Sequence, residues 1–220
     1  MDHIIKSPNK LIKNFLSKEE INLIKYYTIF YHRNNDEHNS WDMFHVKQGE
    51  TSTYGDTLAD SILKSKVNAV SKLTGVRCLP TYAYWRMYTN GGELLRHYDR
   101  PSCQISLTIH IDSDGTKWPM YVEDKAFDLE PGDAYLYYGF DQLHWRDKFK
   151  GDHYSQVFLH YVDAHGPFKM FHLDGRPFFG VSKGGPYHGD IKCEYINNIL
   201  ADEKHKDYKY FAKRLKNIWK

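Results

Sequence analysis

Cysteine is scarce: Cys78, Cys103 and Cys193 are too few and too widely spaced for a disulfide framework, and no C-x-x-C pair offers a zinc or thiol-redox motif. They read as reduced thiols. No run approaches the roughly 20 apolar residues a membrane helix needs, and the opening stretch from Met1 to Lys6 lacks the apolar region of a secretory leader. The expectation is a cytoplasmic protein with no membrane partner. An excess of one charge is missing too: 30 Lys and Arg are interleaved with 28 Asp and Glu, for a net +2, so nucleic acid is not a favoured partner. Neither internal repeats nor low-complexity tracts occur.

What is present is a globular chain, with 41% apolar and 26% charged residues. At 220 residues it holds one substantial core. We expect a single domain over 1–220, with a helical part over 1–79, a core over 80–165 and an extension over 166–220. Aromatic side chains make up 16%, led by 18 Tyr, which suit a β core or line a site that needs hydroxyls.

Ser17 and Glu20 have capping-box spacing and predict a helix over about 18–31. Residues 34–53 are polar and broken by Gly49, so they read as a long loop; a second helix is expected over about 57–73, stopping at Gly75. From Pro80 the period changes to two, with strands expected near 81–89, 94–99, 103–112, 118–123, 134–138 and 155–163. In the third, Ile105, Leu107, Ile109 and Ile111 alternate with Ser106, Thr108 and His110, so one face packs and the other meets a cavity or water. Helices followed by many short strands predict a mainly β, α+β fold: a jelly roll, or double-stranded β-helix, of cupin-like shape. Over 203–220, Tyr208, Phe211, Leu215 and Trp219 fall among Lys and Arg, a basic amphipathic helix expected to dock on the domain.

His97-Tyr98-Asp99 is an H-x-D triplet on an expected strand, so both side chains share a face. His144 follows a turn, a strand and another turn that can return it to the same place. Two imidazoles and one carboxylate on one face of an octahedron suit a non-haem iron(II) site with three open positions. The run Arg86 to Arg100, with Tyr88, Gly91, Leu94, His97 and Asp99 at their spacings, resembles the iron-binding segment of 2-oxoglutarate-dependent iron(II) oxygenases, including the prolyl 4-hydroxylase group. Residues 103–108 and the stretch from Pro131-Gly132-Asp133 to His144 extend that resemblance over roughly 80–165.

The resemblance implies that His97, Asp99 and His144 are the catalytic iron ligands and that Tyr88 hydrogen-bonds the cosubstrate. It implies a dioxygenase using Fe(II), 2-oxoglutarate and O2, with ascorbate as an accessory reductant, to hydroxylate an unactivated C–H bond. A prolyl or other amino-acid residue in a peptide or protein is the expected substrate. A small-molecule hydroxylase, or a cupin-like metalloprotein that does not use 2-oxoglutarate, stands as the alternative. Residues 34–53, with Trp41, Phe44 and His45, are placed to close over a peptide. One departure concerns the cation that grips the 2-oxoglutarate carboxylate: about ten residues past the distal His stands Tyr154, not Lys or Arg. A buried carboxylate needs a substitute. Arg86, on the strand face of Tyr88, is the first candidate and Arg146 the second, ahead of Lys117 and Lys150; Thr108 and Ser106 are pocket candidates. Arg100 should point away from the metal and orient Asp99, bind substrate or be solvated, whereas His110, His153, His160 and His165 read as structural.

Overall fold

The computed structural model describes residues 9–34 and 50–181, together with 201–205, 208, 209 and 212. After a short strand β1 (Lys10–Ile12), the expected capping box opens α1 (Lys18–Asn34). Glu20 N donates to Ser17 Oγ at 3.2 Å and Ser17 N to a Glu20 carboxylate oxygen at 2.8 Å, so two free backbone donors are satisfied. The end of the expected loop is instead a strand, β2 (Thr51–Tyr54), whose polar side chains are buried because the strand pairs with the main sheet. Trp41, Phe44 and His45 lie outside the described residues, as does most of the helix expected over 203–220.

The second expected helix is two, α2 (Thr57–Ser65) and α3 (Val67–Thr74). Asp56 caps α2 by accepting from the N–H groups of Leu58 and Ala59, and the chain turns at Lys66. That turn lets Ile62, Leu63 and Val70 all reach one core. Gly75, at φ 75° where an L side chain is strained, ends α3. No described helix is long and apolar enough to cross a membrane.

The remaining strands are β3 (Cys78–Thr89), β4 (Leu94–His97), β5 (Ile105–Ser113), β6 (Met120–Val122), β7 (Lys125–Phe127), β8 (Ala134–Tyr137), β9 (His144–Arg146) and β10 (His153–Asp163). All pair antiparallel. A six-stranded sheet has the order β1-β8-β5-β10-β3-β2 and a four-stranded sheet the order β4-β9-β6-β7. β3 starts before Pro80, earlier than expected, because Leu79 and Cys78 stay paired with Val162 and Asp163 beyond a register shift that sets Thr81 and Tyr82 against His160.

Alternation then sorts the large sheet into two faces. Ile105, Leu107, Ile109 and Ile111 join Ala83, Trp85, Met87, Val157, Leu159 and Tyr161 in the core under the helices. The other face carries Ser106, Thr108 and His110 on β5, Tyr82, Tyr84, Arg86 and Tyr88 on β3, and Tyr154, Gln156, Phe158 and His160 on β10. Register stacks these in rungs, His160 beside Ser106, Phe158 beside Tyr84 and Thr108, Gln156 beside Arg86 and His110. These side chains form the space between the sheets. One end is closed by Tyr88, Trp118, Phe149 and Tyr154, all buried together, and by reciprocal backbone bonds between Phe149 and the Gly91-Gly92 turn.

Candidate active site

The small sheet brings the H-x-D triplet to the distal histidine. His97 ends β4, His144 begins β9, and the two are direct cross-strand partners with ring centroids 4.2 Å apart. Asp99 Oδ1 lies 3.4 Å from His97 Nε2 and 3.5 Å from His144 Nε2. In both histidines Nδ1 meets the carbonyl two residues back, Leu95 O at 2.7 Å and Gln142 O at 2.9 Å. A carbonyl only accepts, so Nδ1 carries a proton and each Nε2 faces the carboxylate.

The carboxylate is set from the opposite side by Gly139. Its carbonyl accepts from Asp99 N at 2.9 Å, and a Cβ on Gly139 would sit 2.1 Å from Asp99 Oδ2. Oδ2 itself is buried without a hydrogen-bond partner. Burial alone would raise the Asp99 carboxyl, but His144 and His97 outweigh it and hold it well below the ordinary carboxylate range. The site has a more open side: His144 is 2% exposed, whereas His97 and Asp99 are 27% and 17% exposed.

Deeper in, the two arginine candidates have different surroundings. Arg86 is buried and faces a buried carboxylate, with Nη2 2.5 Å and Nε 3.2 Å from Glu50 Oε2, and its guanidinium lies 4.0 Å over the Tyr88 ring. Its charge is answered from within the protein by Glu50, which leaves Arg146 the stronger candidate. The partner, Glu50, is 36 residues away and was out of reach of sequence reasoning.

Arg146 is also buried, but among the described residues no carboxylate partners it. Nη1 donates to Trp118 O and Nη2 to Gln156 Oε1 at 3.1 Å, while Nε is buried without a hydrogen-bond partner. Its guanidinium lies 4.8 Å from the centre of the Tyr154 ring. β9 thus holds a cation just above position 154. Gln156 ties the pocket together, accepting from Thr108 Oγ1 at 3.3 Å and donating to Tyr88 OH at 3.2 Å. Sequence reasoning missed Gln156, although its inward parity on β10 was readable. Lys117 and Lys150 are solvent-exposed.

Of the histidines read as structural, His153 and His165 lie toward the surface and His110 and His160 are buried. His110 stacks on Tyr154 with Nδ1 2.7 Å from Leu129 O. Burial pushes His160 down to about 4, so it is neutral. Arg100, expected to point away from the metal, packs inside the protein. It makes two 2.6 Å bonds to Asp174, which also accepts from Tyr54 OH, and it lies over Tyr82. Asp174 sits in a 3₁₀ segment, Lys169–Gly175, where both Leu173 and Asp174 are left-handed.

Neither a protein-family model nor a curated protein sequence matches the chain. Solved structures do. A prolyl-4-hydroxylase from Pseudomonas putida superposes with a TM-score of 0.55 at 14% identity, covering 73% of this chain and 96% of that one. A Trichoplax adhaerens prolyl hydroxylase, solved with a hypoxia-inducible-factor peptide fragment, gives 0.54 at 15% identity over 74% and 88%. The chain has the fold of the 2-oxoglutarate-dependent oxygenases. A non-haem α-ketoglutarate-dependent epimerase of nogalamycin biosynthesis shares this fold with a TM-score of 0.57 at 12% identity, over 86% of this chain and 94% of its own. The oxygenase fold is thus the double-stranded β-helix expected from the strand pattern.

Proposed function

We propose that this chain is a single-domain iron(II) and 2-oxoglutarate-dependent oxygenase that hydroxylates a C–H bond of an amino-acid residue, prolyl first, in a peptide or protein. The observation that carries the reading is a pair of features between the two sheets: a His-Asp-His trio with its ligand atoms converging, and a buried guanidinium with no carboxylate partner among the described residues.

The trio fits a divalent iron. His97 and His144 are locked in the tautomer that presents Nε2, Asp99 adds a carboxylate with one oxygen unpartnered, and three protein donors leave positions for cosubstrate and oxygen. Iron(II) with 2-oxoglutarate and O2 supplies the oxidation, giving succinate, carbon dioxide and a hydroxylated product. Around it, Arg146 takes the distal carboxylate of 2-oxoglutarate, because an isolated buried cation costs several kcal/mol until an anion answers it. Gln156 holds Arg146, Tyr88 and Thr108 in fixed relation, so the cosubstrate meets a prearranged pocket. Substrate approaches from the side where His97 and Asp99 are exposed.

A peptide substrate is favoured by the two prolyl hydroxylases among the structural neighbours, one of them solved with a peptide. The epimerase among the same neighbours supports a small-molecule substrate as the second reading. The test is anaerobic visible absorption with iron(II), then 2-oxoglutarate. A weak metal-to-ligand band that needs both additions and is lost in His97→Ala supports the reading; absence of the band with iron bound overturns it. Succinate release on adding proline peptides then separates the two substrate classes.

A further inference from the structure

A second set of donors shares the carboxylate of the first. Ligand atoms of Asp99, Cys103 and His160 lie within 4.8 Å of one another. Cys103 ends the 3₁₀ turn Pro101–Cys103 that follows Asp99, and His160 arrives from β10 in the rung of Ser106. Cys103 and His160 are buried.

Hydrogen bonds settle which imidazole nitrogen is free to coordinate. The Ser106 hydroxyl gives its single proton to Cys103 O at 3.1 Å, so at its 2.9 Å contact with His160 Nδ1 it accepts. Nδ1 therefore carries the proton and Nε2 keeps the lone pair. Among the described residues the Cys103 thiol meets hydroxyls, Tyr82 OH at 3.1 Å and Ser102 Oγ at 4.0 Å.

We propose that Asp99, Cys103 and His160 form a second cation position, selective for thiophilic divalent ions such as zinc and cadmium. It excludes occupation of the first position because both need Asp99. A thiolate, an imidazole and a carboxylate are the mixed donors such ions accept, and sulfur ligation moves preference from iron(II) toward them. Zinc bond lengths place tetrahedral donors about 3.5 Å apart, so donors already within 4.8 Å of one another need to close by no more than side-chain torsions reach. On binding, the thiol proton leaves to solvent and a sulfur–metal bond forms, with no change in oxidation state.

The test is cadmium titration of the full chain under reducing, oxygen-free conditions, reading thiolate-to-cadmium absorption in the ultraviolet. It needs neither 2-oxoglutarate nor turnover, so it succeeds or fails separately from the oxygenase reading. The band should reach one equivalent in the wild type, persist in His97→Ala and His144→Ala, and vanish in Cys103→Ser and in His160→Gln. One equivalent of cadmium should also prevent iron(II) uptake. A band unchanged by Cys103→Ser, or lost in His97→Ala, overturns the proposal. If Cys103→Ser fails to fold, the double variant Cys78→Ser/Cys193→Ser leaves Cys103 as the sole thiol: a retained band supports the site and an absent one overturns it.

Discussion

Arg86 and Arg146 are both buried guanidiniums, and their partners assign them opposite work. Removing Arg86 takes from buried Glu50 the guanidinium paired with it, so Arg86→Met should cost about 3–5 kcal/mol in denaturant unfolding while a surviving fold keeps its affinity for 2-oxoglutarate. Removing Arg146 strands no carboxylate. Arg146→Met should leave unfolding within about 2 kcal/mol of wild type but weaken 2-oxoglutarate on the order of a hundredfold, read from the concentration dependence of the metal-to-ligand band. If the two variants exchange these outcomes, the clamp has been assigned to the wrong residue. Gly139 gives a further test at this scale. Its Cβ would strike Asp99 Oδ2, so Gly139→Ala should weaken iron binding at least tenfold, checked by anaerobic titration, with the secondary structure by circular dichroism retained.

At the scale of elements, the segment after β10 is fastened to the sheet by two carboxylates. Asp60, inside α2, receives Arg176 Nη1 at 2.6 Å and Gly180 N at 2.8 Å, with Asp60 and Arg176 both buried. Asp174 grips Arg100 directly after Asp99. Asp60→Asn should therefore cost about 3 kcal/mol or more in global unfolding, since it leaves the Arg176 charge buried and unpaired. Much of this level was legible beforehand where the cause is local. The Ser17–Glu20 box, the Gly75 stop and the parity of Ile105 to Ile111 each depend on neighbours a few residues away. The three-residue strands β1, β7 and β9 escaped because nothing local distinguishes them; Lys10 is extended because it pairs with Leu136. The trio was legible because the H-x-D triplet and His144 sit at the spacing of the resemblance, although β4 ends at His97 and Asp99 lies just past the strand. The choice between Arg86 and Arg146 was not, because it rests on Glu50, Gln156 and Trp118, gathered from distant stretches of chain.

For the molecule as a whole, the interior between the sheets sets the response to acid. His110 is held below the ordinary imidazole range, first by burial and further by Arg146, against the opposing bond to Leu129 O. A base depressed in the folded state binds more protons when unfolded. Its stabilising share is therefore complete above the unfolded value of about 6.5 and is lost progressively as the pH falls below it. Unfolding free energy should drop on acidification from pH 7 to 5, and His110→Gln should flatten part of that slope; a wild type whose stability rises over this interval contradicts the assignment.

The aromatic floor of Tyr88, Trp118, Phe149 and Tyr154 carries a kinetic consequence. If the space between the sheets is entered from the side where His97 and Asp99 are exposed, the group that sits deepest passes before the other arrives. On the proposed function, the oxo acid should enter ahead of the substrate and succinate should leave after the product, a queue imposed by four rings set away from the reacting bond.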